Sequence, residues 1–139
     1  MKTTMDIQEY RAFDPAEVLP LYESAGWINY TRNPEMLRRA FAGSLCVLCA
    51  REEGALIGLI RAVGDGESAL LVQDLLVRPE FRRRGVGTAL MRALLARYPD
   101  TYQTVLFTDR TETTLAFYRS LGFIPAGEAG CEGLMRIHP

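Results

Sequence analysis

Apolar positions along this chain recur with two periods, and the points where one gives way to the other mark out its elements. Residues 6–13 alternate (Ile7, Glu9, Tyr10, Arg11, Phe13), which predicts an edge strand. Asp14-Pro15-Ala16-Glu17 then reads as a helix start, with Asp14 as N-cap, Pro15 at the first helical position and Glu17 closing a capping box. Val18, Leu19, Leu21, Tyr22 and Ala25 form the apolar face of that helix, Pro20 should kink or shorten it, and Gly26 ends it. An aromatic loop, Trp27-Ile28-Asn29-Tyr30, leads to a second short helix that begins at Asn33-Pro34-Glu35, buries Leu37, Ala40 and Phe41, and stops at Gly43. Residues 45–50 and 55–63 read as strands joined by Arg51-Glu52-Glu53-Gly54, and a second turn at 64–67 feeds a third strand over 69–77. After Pro79 and a basic turn, a stripe of Leu90, Met91, Leu94, Leu95 and Tyr98 predicts a helix. A buried-type strand over 104–109, a helix over 111–120 and two last strands at 123–126 and 133–137 complete the chain.

The predicted order is therefore βααβββαβαββ, an α/β (α+β) fold in one domain over residues 1–139. Three hairpin-linked strands imply an antiparallel meander. The strand–helix–strand unit across 69–109 implies a parallel pair, so the sheet is mixed, mostly antiparallel and flanked by helices.

Chemistry concentrates where the third of these strands turns into its helix. A helix start leaves about four N–H groups without intrahelical partners and adds a positive dipole end. Gly85 and Gly87 let an anion reach that main chain, and Arg82, Arg83 and Arg84 supply charge beside it. The joint suits a phosphate or diphosphate. A Walker loop is absent, and a dinucleotide fingerprint read from Gly85 fails at Leu90.

Composition narrows the classes. A net charge of −1 gives no global attraction to nucleic acid or to an anionic membrane. No apolar run approaches the ~20 residues of a membrane span, and Met1-Lys2-Thr3-Thr4 carries no signal-type apolar region, so a soluble cytoplasmic protein is expected. The three cysteines include Cys46-Val47-Leu48-Cys49, but on a strand an odd offset points two side chains to opposite faces. They read as small core residues, and no metal site is expected.

The spacing Arg82-x-x-Gly85-x-Gly87, preceded by Leu75-x-Val77-x-Pro79, resembles the acyl-CoA motif of the GCN5-related N-acetyltransferases. Leu115-Ala116-Phe117-Tyr118-Arg119-Ser120-Leu121-Gly122-Phe123 is similar to that family's later Phe-Tyr…Gly-Phe element. The resemblance implies direct transfer of an acetyl group from acetyl-CoA, as co-substrate, to a primary amine on a small molecule or peptide. Arg82, Arg83, Arg84, Gly85, Val86, Gly87 and Thr88 would hold the diphosphate. Main-chain groups of Leu75, Leu76 and Val77 would pair with the pantetheine arm where two parallel strands splay. Thr111, where many relatives carry Asn, and Phe117 fall at further cofactor positions. Tyr118 aligns with the family's general acid. Asp74 is a candidate base, with a structural carboxylate as the competing reading. Trp27, Tyr30 and Asp109 are candidates to meet the acceptor, and relatives often form homodimers. The motif itself reports cofactor binding, so a non-catalytic acyl-CoA-binding module on the same fold is the alternative.

Overall fold

The computed structural model describes residues 5–138, so the Met1–Thr4 opening used above to set aside a leader lies outside the described residues. The chain forms two compact units, Met1–Phe107 and Thr108–Pro139.

The first unit is built on a five-stranded sheet in the order β1-β2-β3-β4-β5: Asp6–Glu9, Cys46–Glu52, Ala55–Gly64, Ala69–Val77 and Gln103–Leu106. β1 to β4 are antiparallel neighbours, and β4 and β5 run parallel. Helices α1 (Pro15–Ser24), α2 (Ile28–Thr31), α3 (Pro34–Ala42) and α4 (Val86–Arg97) complete the unit. Val18, Leu21 and Tyr22 of α1 and Leu37 and Phe41 of α3 form one core with Cys49, Leu59 and Leu76 of the sheet. α4 buries Val86, Leu90, Met91 and Leu94 and packs on β2, β3 and β4. Burying each such side chain contributes roughly 1.5–3 kcal/mol, and helices this short are marginal without it. Gly58 in β3 permits the close approach of α4, because a Cβ there would lie 3.0 Å from Val86 Cγ1 and 3.1 Å from Leu90 Cδ1.

Strand alternation separates the cysteine pair as expected. Cys49 joins the α1/α3 core and Cys46 lies beside Tyr98 at the end of α4, both buried and free.

Local details depart from the sequence reading. Asp14 caps α1 by accepting from the Ala16 N–H at 3.0 Å, but Glu17 does not close a capping box. Its carboxylate instead takes both Arg51 Nη atoms, at 2.9 and 2.8 Å, and the Tyr10 hydroxyl at 2.7 Å. α1 continues through Pro20 to Ser24, and the aromatic loop contains a single helical turn, closed by Arg32 N–H to Ile28 O at 3.0 Å. β1 ends at Glu9, four residues early, where the chain turns into the Asp14 cap. β5 is not the buried strand that its apolar composition suggested. It has a sheet neighbour on one side alone among the described residues, and Val105 and Phe107 are 41% and 61% exposed.

The second unit holds α5 (Glu112–Ser120), a short 3₁₀ turn at Ala126–Ala129 and a tail without regular secondary structure among its described residues. The two strands expected at 123–126 and 133–137 do not form. Pro125 has no N–H to give a ladder, and Gly127, Gly130 and Gly133 weaken strand preference. The backbone bonds between 125 and 131 close locally instead, as in Glu128 N–H to Pro125 O at 3.0 Å and Cys131 N–H to Ala126 O at 2.9 Å.

Candidate active site

β4 loses its parallel partner halfway along. Ala69, Leu70, Leu71 and Val72 pair with Gln103, Thr104, Val105 and Leu106, and there the β4–β5 ladder stops. On the other side β4 continues along β3, with Leu75, Leu76 and Val77 opposite Ile60, Leu59 and Gly58. The change coincides with a bulge: Arg61 faces Asp74 and Ala62 faces Val72, leaving Gln73 without a partner in β3. A bulge bends and twists its strand, which parts β4 from a straight neighbour. Leu75 to Val77 are thus left with main-chain groups open to an extended ligand, in the manner of strand addition.

The chain leaves β4 through a 3₁₀ turn, Pro79–Phe81, and enters α4 at Gly85. Gly85 has φ +79°, which favours glycine, and a Cβ on it would meet nothing within 4 Å. Arg83, which has no such freedom, is nonetheless held at φ +63°. Such an outlier costs on the order of 1–3 kcal/mol and tends to accompany ligand clamps. No side chain caps α4, so the N–H groups of its first turn remain available. Arg82, Arg83 and Arg84 are exposed around it, and the Arg84 guanidinium lies 5.1 Å from the Phe81 ring centre. Open donors, an αL glycine and flanking arginines together fit a diphosphate.

Asp74 is 1% exposed and lies on the sheet face covered by α1. Its Oδ2 accepts from the Tyr22 hydroxyl at 2.7 Å and from Arg61 Nε at 2.7 Å. Arg61, itself 4% exposed, also donates to Ser44 Oγ at 3.2 Å. Burial, and then the Asp74 charge, push the Tyr22 phenol far above its ordinary value. Asp74 Oδ1 is buried with no hydrogen-bond partner among the described residues. Of the two readings open in the sequence, this geometry favours the structural carboxylate, because the ion pair occupies Oδ2 and burial removes both oxygens from solvent. Tyr22 and Arg61 were not singled out from the sequence as partners of Asp74. Tyr22 reads as part of an apolar helix stripe, but a lone arginine between Ile60 and Ala62 was a usable sign of a buried partner.

Trp27 and Tyr30 come together through the α2 turn. Their rings stack at 5.9 Å, and the ring of Tyr22 meets both edge-on. The Tyr30 hydroxyl accepts from Gln73 Nε2 at 3.3 Å, which ties these aromatics to the bulge of β4. Both residues are partly exposed.

In the second unit, Tyr118 is half-buried on α5, with Phe117 at 5.0 Å and Phe123 at 6.0 Å. Burial raises its phenol above the usual value, and the charge of Asp109 adds to the effect. Thr111 is the N-cap of α5, accepting from the Thr114 N–H at 3.3 Å. Its hydroxyl donates to Asp109 Oδ1 at 2.7 Å, and that bond, with the Thr111 N–H, keeps the Asp109 carboxyl below its ordinary range. The residue standing where relatives carry Asn therefore has a helix to cap.

Comparison with known proteins bears on the family and the fold. Residues 43–125 match the acetyltransferase (GNAT) domain family. A GNAT-family acetyltransferase from Streptococcus pneumoniae TIGR4 is 38% identical and superimposes with a TM-score of 0.88 over 97% of this chain and 98% of that one. An uncharacterized N-acetyltransferase of Porphyra purpurea is 24% identical over 82% of this chain and 68% of its own length. The GCN5-related N-acetyltransferase 2 of Arabidopsis thaliana is 39% identical over 60% of this chain, which spans 31% of that protein.

Proposed function

Because this chain belongs to the GNAT acetyltransferase family, we propose that it transfers an acetyl group from acetyl-CoA to a primary amine by direct attack in a ternary complex. The observation that carries this reading is the meeting of two features in one stretch of chain. β4 parts from β5 after Val72, and eight residues beyond Val77 the chain enters the uncapped start of α4.

Bound acetyl-CoA supplies a thioester carbon open to attack by an amine. The first-turn N–H groups of α4, at Val86, Gly87 and Thr88, hold the diphosphate, with Arg82, Arg83 and Arg84 offsetting its charge. Main-chain groups of Leu75, Leu76 and Val77 pair with the amides of the arm. An N–H near Leu76 or Val77 would serve as donor to the thioester oxygen, since donors fixed in advance stabilise developing negative charge. By the family resemblance, Phe117 and Thr111 are candidates for further cofactor contacts, and Trp27, Tyr30 and Asp109 are candidates to meet the acceptor. Tyr118 holds the proton that the departing thiolate takes. An unperturbed phenol near pKa 10 lies close to a thiol near pKa ~8.5, and the burial of Tyr118 widens that gap while keeping its proton in place at neutral pH. Asp74 serves by holding Tyr22 and Arg61 beneath β4, and the ammonium of the acceptor loses its proton to water.

The test is release of CoA thiol from acetyl-CoA with a panel of polyamines, arylalkylamines, aminoglycosides, amino acids and peptide N-termini, alongside calorimetry with CoA alone. Binding together with thiol release supports the transferase. Binding without release to any amine would leave an acyl-CoA sensor, and no binding at millimolar CoA removes both readings.

A further inference from the structure

Where the bulge falls in β4 decides which face each half of that strand presents. Leu76, paired with Leu59 of β3, belongs to the core under α1 and α3. Leu70 and Val72 are also buried but lie outside that core. A straight strand would carry residues 70, 72, 74 and 76 on one face. The unpaired Gln73 separates the two halves.

Apolar patterning does not choose that position. β4 reads Leu70-Leu71-Val72 before the bulge and Leu75-Leu76-Val77 after it, so a one-residue slip exchanges apolar side chains for apolar ones. β3 is no more selective, since from Ala55 to Gly64 every residue except Arg61 is apolar or glycine. A register is specified by contrast between faces, and strands apolar on both supply little of it. Arg61 is the one charged residue of β3 and Asp74 the one charged residue of β4. They stand opposite each other at the pair that adjoins Gln73, joined at 2.7 Å and buried. A slip would turn one away from the other and leave a buried charge alone, which strongly disfavours it. Fixing register is the best-attested use of a buried polar contact.

We propose that the Arg61–Asp74 pair is a register pin whose function is to place the main chain of Leu75, Leu76 and Val77 for the acyl-CoA arm. The identity of that ligand rests on the transferase reading; the pin itself does not. Successive residues of a strand direct their N–H and C=O groups to opposite neighbours. A one-residue slip would therefore hand the ligand-facing side to the alternate residues and move the strand about 3.4 Å. Arg61 and Asp74 act through the backbone of β4, and so are positioning residues.

The test uses Arg61→Met/Asp74→Leu, which removes both charges and keeps apolar bulk. It should still unfold cooperatively in urea. In wild type, cross-strand NOEs should pair residue 61 with 74 and 62 with 72; in the variant, residue 61 should face a different residue of β4 or several. CoA should bind the variant about tenfold or more weakly, as expected for losing one or two arm hydrogen bonds. Adenosine 3′-phosphate 5′-diphosphate, which has the diphosphate and no arm, should bind within about twofold of wild type. Arg61→Lys keeps a cation opposite Asp74 and should retain both the wild-type NOE pattern and the CoA affinity. The pin is overturned by a double variant that keeps the wild-type register and CoA affinity, or by one that loses both ligands equally. It is overturned too by a double variant that no longer unfolds cooperatively, since the pair would then hold up the fold, or by a lysine variant that slips. A wild type that ignores CoA would instead remove the transferase reading, and the NOE comparison would still decide whether the pair sets the register.

Discussion

The Arg61 guanidinium and the Asp74 carboxylate meet at 2.7 Å under the helical cover of the sheet, on adjacent strands and almost without solvent. A pair held this way is costly to break singly and much less costly to replace whole, because one buried charge left alone keeps its desolvation penalty. Asp74→Ala should therefore lower unfolding free energy by about 3–5 kcal/mol. Arg61→Met combined with Asp74→Leu should lose markedly less. Urea unfolding of the two variants reads the difference. If the single variant is as stable as the double one, the pair is not coupled as its geometry implies.

Tyr118→Phe removes a hydroxyl without changing the packing against Phe117 and Phe123. Turnover with acetyl-CoA should fall about 10²-fold or more, the contribution of a positioned acid, while the CoA dissociation constant stays within about twofold. Burial and Asp109 both raise this phenol above 10.0, so it remains protonated through neutral pH. The loss of wild-type turnover that comes from deprotonating Tyr118 should therefore have its midpoint above pH 10 and be absent in the phenylalanine variant.

Two glycines should respond to alanine for different reasons. At Gly58 the new methyl would press on Val86, Leu90 and the Leu76 carbonyl, all within 3.1 Å. Overpacking of that kind costs roughly 1–3 kcal/mol, and by displacing α4 it should also weaken CoA binding in a calorimeter. At Gly85 the space is open, so the cost of Gly85→Ala is the left-handed backbone alone, about 1–2 kcal/mol.

Acid should reveal the Glu17–Arg51 pair. The Arg51 hydrogen bonds depress the Glu17 carboxyl below its ordinary 4.5. Its stabilisation is thus fully present above that value and is lost as pH falls through the lower folded one. Both side chains are about a quarter exposed, so the effect should stay near or below 1 kcal/mol. Glu17→Gln should lower the urea midpoint at pH 7 and differ little from wild type at a pH below both values.

How far the sequence carries depends on the range of the interaction concerned. The Asp14 cap, the helix start at Asn33-Pro34-Glu35, the stripe of α4, the meander and the whole extent of β4 were readable, since each rests on neighbours a few residues apart. So was the glycine-led start of α4, because an αL glycine and an uncapped helix start are properties of one short segment. Glu17 was misread for the opposite reason. Its local partner was the Asp14 backbone, and a guanidinium 34 residues away took its carboxylate instead.

The amino-acid order alone therefore determined the strand–turn–helix joint at 69–97 and the family to which it belongs. Tertiary structure decided the rest. It buried Asp74 against Tyr22, 52 residues distant, and set its carboxylate in an ion pair with Arg61 on the adjacent strand. It also left residues 133–137 outside any ladder among the described residues, because a strand exists only where another backbone accepts its hydrogen bonds, and no local pattern of side chains records which backbone that will be.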